Sequence, residues 1–159
     1  MDLLERMLGH DRWTTEQLLT LSQGLSDDQL DQPFDIGRRT LRATFDHMLD
    51  AVELWTGLMG DETAPQKSAH GSVEAMLARH THSRDRFELV ARELVATSRL
   101  DETFIDHHDY PQSYGATILQ VTWHNTLHRS EVLHMLQRLG MSDLPDGDPQ
   151  EWEHRTGRI

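Results

Sequence analysis

The stretch Trp123-His124-Asn125-Thr126-Leu127-His128-Arg129 carries two histidines four residues apart. On a helix that spacing puts them on one face about a turn apart, where both can chelate one ion. Neutral imidazole is the commonest protein ligand for zinc, nickel, copper and iron. Two imidazoles are too few for a firm site. His47 offers a third, on the side of its own predicted helix that also carries Ala51, Leu54 and Leu58. Three such ligands leave coordination positions for water or substrate, which implies chemistry or ligand binding. A plainer reading stays open at this point. In a chain with 11 histidines such a pair arises by chance, and a buried His47 would serve as a hydrogen-bonding residue. Asn125 stands where a HExxH motif would place its glutamate, which argues against a metalloprotease of that type.

Helices must position these residues, and the apolar periodicity predicts four of them. The first runs from Leu3 to about Leu25, through Met7, Leu8, Leu18 and Leu21. Ser26-Asp27-Asp28 caps a short turn, and Pro33 and Gly37 punctuate a loop. Thr40 is the expected N-cap of the second helix, Leu41 to Met59, which Gly60 ends. It is apolar around so much of its circumference that it should be the most buried of the four. Asp61 to Gly71 reads as a polar connection, and Ser72 as the cap of a third helix from Val73 to Ser98. The charges from Arg79 to Arg92 read as the wet face of that helix. Asp101 to Gly115 is expected to be a long connection or two short extended pieces. The fourth helix is predicted over Ala116 to Leu139, with Gly140 as its stop. Residues 141–159, with two prolines and two glycines, read as an irregular polar tail that Trp152 docks. The expected fold is therefore all-α: an antiparallel four-helix bundle over 1–140 followed by that tail.

Bulk properties narrow the function. With 15 basic against 27 acidic residues the net charge is −12, a surface that repels phosphate backbones and speaks against nucleic-acid binding. With no cysteine the chain forms no disulfide or thiolate metal site and supplies no thiol of its own. The opening MDLLERMLGHDRW lacks the basic and apolar regions of a signal peptide, and no long apolar run occurs elsewhere, so a cytoplasmic protein without membrane contact is expected.

The sequence resembles the DinB family, also called the DinB/YfiT superfamily, over nearly the whole helical part. The resemblance is carried by His10-Asp11-Arg12-Trp13, by Pro33-Phe34 with Gly37 and Thr40-Leu41, and by Phe45-Asp46-His47-Met48-Leu49 with Glu53-Leu54-Trp55. Its strongest element is His124-Asn125-Thr126-Leu127-His128-Arg129 followed by Leu136 and Leu139-Gly140. In that family one histidine of the second helix and two of the fourth bind a divalent metal, which by position implies His47, His124 and His128. The resemblance further implies a metal-dependent enzyme. The ion would activate either a small external thiol, in an S-transferase or isomerase, or a water, in a hydrolase. A non-catalytic metal-binding or stress-response protein is the alternative. Family members often dimerise, and a two-fold homodimer is expected here. Two positions depart from the family's pattern: Ser130-Glu131 replaces a frequent Gly-Gln pair, and Trp123 precedes the first histidine.

Among the other residues, His10 and Asp11 lie on the inward side of the first helix. Trp13, Trp55 and Trp123 are expected to anchor the core or an interface. Arg129 is expected to pair with a carboxylate such as Asp46 rather than to attract an anionic substrate. His107 and His108 are read as solvated loop residues. Sequence alone assigns no catalytic residue and no particular substrate.

Overall fold

The structure, a computed structural model, describes residues 1–60 and 71–159. The polar connection expected at 61–71 lies, apart from Gly71, outside the described residues. In chain order these comprise α1 (Leu3–Ser22), α2 (Asp27–Leu30), α3 (Leu41–Met59), α4 (Val73–Ala96), β1 (Thr103–Ile105), β2 (Pro111–Ser113), α5 (Tyr114–Arg138) and α6 (Pro149–Arg155). The molecule is thus mostly helical, with one small antiparallel hairpin pairing Phe104 with Gln112. None of the described helices is long and apolar enough to cross a membrane.

Local chemistry accounts for the helix ends. The Thr40 side chain accepts from Ala43 N–H at 3.1 Å, and Ser72 from Ala75 N–H at 3.3 Å, each satisfying a donor that the first turn leaves unpaired. α5 begins two residues earlier than predicted because Ser113 caps it, accepting from Ala116 N–H at 3.3 Å. At its other end Gly140 takes φ +91°, a left-handed conformation suited to glycine. The turn lets Met141 N–H reach the Leu136 carbonyl at 3.2 Å.

Each of the four long helices packs against two others: α1 against α4 and α5, and α3 against α4 and α5. The core they enclose has two apolar clusters. One gathers Leu18, Phe45, Leu49, Met76, Val132 and Leu136, and the other Leu8, Val52, Phe87, Ala91, Ile118 and Val121. On α1, α4 and α5 the residues between the clusters are polar and buried: Asp11, Thr15, His80, Arg84, Asn125 and Arg129. Asp11 is the hub of this layer. It pairs with Arg129, lies 2.7 Å from Arg84 Nη1, and accepts from Asn125 Nδ2 at 3.0 Å. Burial alone would push its carboxyl up; Arg84 and Arg129 more than offset that and hold it below the usual carboxylate range.

Several expectations are corrected. The charged run of α4 is only partly a wet face: Asp85 and Arg92 are exposed, but Arg84 is fully buried and Glu88 nearly so. Arg129 pairs with Asp11, not Asp46. Of the two roles expected of Trp123, core or interface anchor, the core is excluded: the side chain is 67 % exposed. The tail is not irregular throughout, because Asp148 caps and Pro149 opens the short helix α6. α6 buries Trp152 against Gly9 of α1, where a Cβ would come within 2.8 Å of the indole.

Candidate metal centre

His47 projects from α3, and His124 and His128 from α5. Each stands on the half-buried flank of its helix, one position before a residue that faces inward: Met48, Asn125 and Arg129. The two ring nitrogens His124 Nε2 and His47 Nε2 lie 2.9 Å apart, and His128 Nε2 and His124 Nε2 3.1 Å. The three ring centroids are separated by 4.8, 4.7 and 4.4 Å. The predicted trio therefore converges on one point, and it is the group among the described residues whose donor atoms meet closely enough to hold a metal.

The donor chemistry fits such an ion. Nitrogens at ~2.0–2.1 Å from a tetrahedral metal lie about 3.3 Å from one another, close to the separations found. Burial, aided by the Arg38 charge and the neighbouring rings, holds the His47 pKa at about 4, so the ring is neutral and a competent donor. Burial also lowers that of His124, with His128 adding to the effect. His128 Nδ1 lies 2.7 Å from Glu131 Oε2. A ring that donates Nδ1–H to this carboxylate carries its lone pair on Nε2, facing the other two histidines.

Arg38 escapes the sequence reading, and Glu131 enters it only as a departure from the family's pattern. Glu131 follows His128 by three positions, a spacing at which helix side chains meet, and that spacing was the available signal. Arg38 reaches the site from the loop before α3, where its Nη2 donates to His47 Nε2 at 3.1 Å. The loop is shaped by Gly37 at φ +48° and Arg39 at φ +75°, and by Phe34 N–H donating to the Arg39 carbonyl at 2.6 Å. Gly37 packs directly over Glu131, where a Cβ would overlap the carboxylate.

His47 and His124 open on a cleft of about 870 Å³ between α3 and α5, bounded at its far side by the β1–β2 turn. Its walls include Arg38, Trp55, Asp106, His107, His108 and Gln120. His107 packs edge-on to Trp55, with ring centroids 5.6 Å apart, so the loop histidines, though exposed, face the cleft. Asp106 fixes the turn, accepting from His108 N–H at 2.8 Å, Tyr110 N–H at 3.0 Å and Gln112 Nε2 at 2.9 Å. His10 and Asp11 do not touch the three histidines. His10 Nε2 lies 2.9 Å from the Gly147 carbonyl, and Asp11 acts at a remove by fastening the stretch of α5 that carries His124 and His128.

No curated protein matches the chain. A family model described as the DinB superfamily matches residues 10–132, from the second turn of α1 to the residue after Glu131. The match contains all three converging histidines together with Arg38 and Glu131, and on that extent the chain belongs to the DinB superfamily.

Proposed function

We propose that His47, His124 and His128 bind one divalent first-row transition metal, zinc or nickel among them, and that the ion serves a metal-dependent reaction in the adjoining cleft. The observation that carries this reading is the convergence of three imidazole nitrogens, two of whose rings, His47 and His124, line a cleft large enough for a small molecule. Such an ion, when bound, supplies a Lewis acid that brings a water or an external thiol to its nucleophilic form near neutral pH. The chain's own residues do the rest. Glu131 orients His128, and Trp55 and His107 wall the substrate space. The polar layer around Asp11 keeps α5 in register with α1 and α4.

Of the two nucleophiles, the thiol is favoured, because a chain without cysteine leaves that role to a low-molecular-weight cofactor and the reaction to an S-transferase or isomerase. Hydrolysis by an activated water is the second reading. The open cleft supports either over storage of the ion, for which a closed, protein-saturated shell is the fitting design. In this reading α1, α3, α4 and α5 form an antiparallel four-helix bundle that serves as the rigid frame of the site.

The same reading extends to a homodimer. Leu119, Trp123 and Leu127 recur every four residues on α5 and are 60, 67 and 54 % exposed. Residues 114–130 contain no acidic residue although the whole chain carries −12, so two copies can meet there without like-charge repulsion.

Metal analysis of the purified full chain, followed by assays with and without added small thiols, tests the function. Metal uptake that disappears in His128→Ala, with turnover lost alongside it, is the expected outcome. A His128→Ala protein with full metal content and undiminished turnover would refute it.

A further inference from the structure

We propose that Arg38 is the anion-recognition residue of the cleft, so that the ligand entering beside the three histidines carries a negatively charged group. The proposal rests on the reading of those histidines as metal ligands and deepens it by assigning the charge of the substrate class.

Among the charged groups of the cleft, Arg38 stands apart. Three carboxylates line it, and each is already engaged by the protein. Asp50 and Glu53 accept from Arg79 at 2.6–2.7 Å, and Asp106 accepts from its own turn. Arg38 carries the one permanent positive charge on the cleft wall, and it makes no ion pair among the described residues. An anion arriving there meets an unpaired guanidinium, while Asp50 and Glu53 share the single charge of Arg79 and Asp106 is held by uncharged donors, so the attraction is local to Arg38.

The position of Arg38 adds a second argument. Its hydrogen bond goes to His47 Nε2, the lone pair that a metal needs. A cation and a guanidinium donor cannot share that lone pair, so occupation of the histidine centre releases Arg38. Its loop is tied independently of the histidines, by Phe34 N–H donating to the Arg39 carbonyl at 2.6 Å and Arg39 N–H to the Ile36 carbonyl at 2.9 Å. The freed side chain remains at the cleft wall beside the metal position, with a planar fork of donors and no protein acceptor. That fork suits a carboxylate, sulfonate or phosphate oxygen pair. Arg129, the other candidate for this task, is buried on Asp11 and does not line this cleft.

The test compares two thiols that differ in an anionic group. The cobalt(II)-loaded full chain is titrated with 2-mercaptoethanesulfonate and with 2-mercaptoethanol, followed by the thiolate-to-cobalt absorption. The wild type should prefer the sulfonate. In Arg38→Gln the ratio of the two affinities should fall by about two- to fivefold, the scale of one charge-assisted contact at a partly exposed site, with mercaptoethanol affinity little changed. Zinc affinity of Arg38→Gln should equal or exceed that of the wild type, since a competing donor is gone, and Arg38→Lys should keep part of the preference. A ratio unchanged in Arg38→Gln overturns the proposal, as does a cobalt spectrum that responds to neither thiol. A wild-type chain that takes up neither cobalt nor zinc removes the underlying metal reading instead.

Discussion

Replacing Gly37 by alanine should weaken metal binding although Gly37 touches none of the three histidines. Two effects are built into the position. Its φ of +48° is left-handed, and a Cβ in that region costs about 1–2 kcal/mol, which lowers folding stability. The Cβ would also overlap the Glu131 carboxylate, the free end of a flexible side chain, so the carboxylate moves rather than the backbone. Its 2.7 Å contact with His128 Nδ1 is then lost. Loss of such an outer partner typically lowers metal affinity about 10–100-fold, or roughly 1.4–2.7 kcal/mol. Competition against a chromophoric chelator reads the affinity, and urea unfolding of the metal-free protein reads the stability separately. Glu131→Gln should show a similar affinity loss without the backbone penalty. Because both substitutions act through one contact, their affinity losses should overlap in the double variant rather than add. Wild-type zinc affinity in Gly37→Ala would refute the chain of contacts from loop to carboxylate to imidazole.

Three further outcomes follow from the same geometry. Asp11→Ala leaves Arg84 and Arg129 buried without their shared carboxylate and should cost about 3–5 kcal/mol in urea unfolding; a loss under about 1 kcal/mol would show that the layer is not held through Asp11. His80 is buried beside Arg84, and both effects hold its pKa at about 4 against 6.5 in the unfolded chain. Between those values the unfolded chain takes up a proton that the folded chain refuses. Its contribution is therefore intact above pH 6.5 and is lost as pH falls toward 4, by on the order of 3 kcal/mol. His80→Gln should flatten the slope of stability between pH 6.5 and 5, and a slope as steep as the wild type's would assign the effect elsewhere. Trp123→Glu places a charge in the exposed stripe of α5 and should shift the proposed dimer to a monomer by light scattering; a mass equal to the wild type's would count against that face as the interface.

His124 and His128 were legible because helical period alone relates them, and His47 because its helix is strongly patterned and the family resemblance marks its position. The four long helices were legible for the same reason, to within a few residues at their ends. Arg38 and Glu131 were not. Arg38 meets His47 only because the backbone turns left-handed at Gly37 and Arg39, and no periodicity encodes that turn. Glu131 looked like a departure from a family pattern, yet it became a partner of His128 through a spacing that the sequence did display. Arg84 was read as solvent-facing because a charge on a helix usually is; its partner Asp11 lies on another helix, and a pattern along one helix is silent about the next. In the tail, Pro149 read as a breaker, but at the first turn it is a starter, and Asp148 beside it was the missed cap.

The docking of α6 has a consequence for the order in which the molecule comes apart. Trp152 against Gly9 and the Gly147 carbonyl against His10 join segments near opposite ends of the sequence. α5 already packs on α1, so α6 docks across only the short connection from Arg138 to Pro149, and it is held there chiefly by one deeply buried side chain. It is thus the unit that detaches at least cost, and in native-state hydrogen exchange its amides should open before those of α5. Detachment uncovers Gly9 and His10 but leaves Asp11 joined to Arg84 and Arg129. A partly unlatched molecule therefore keeps its three histidines in place.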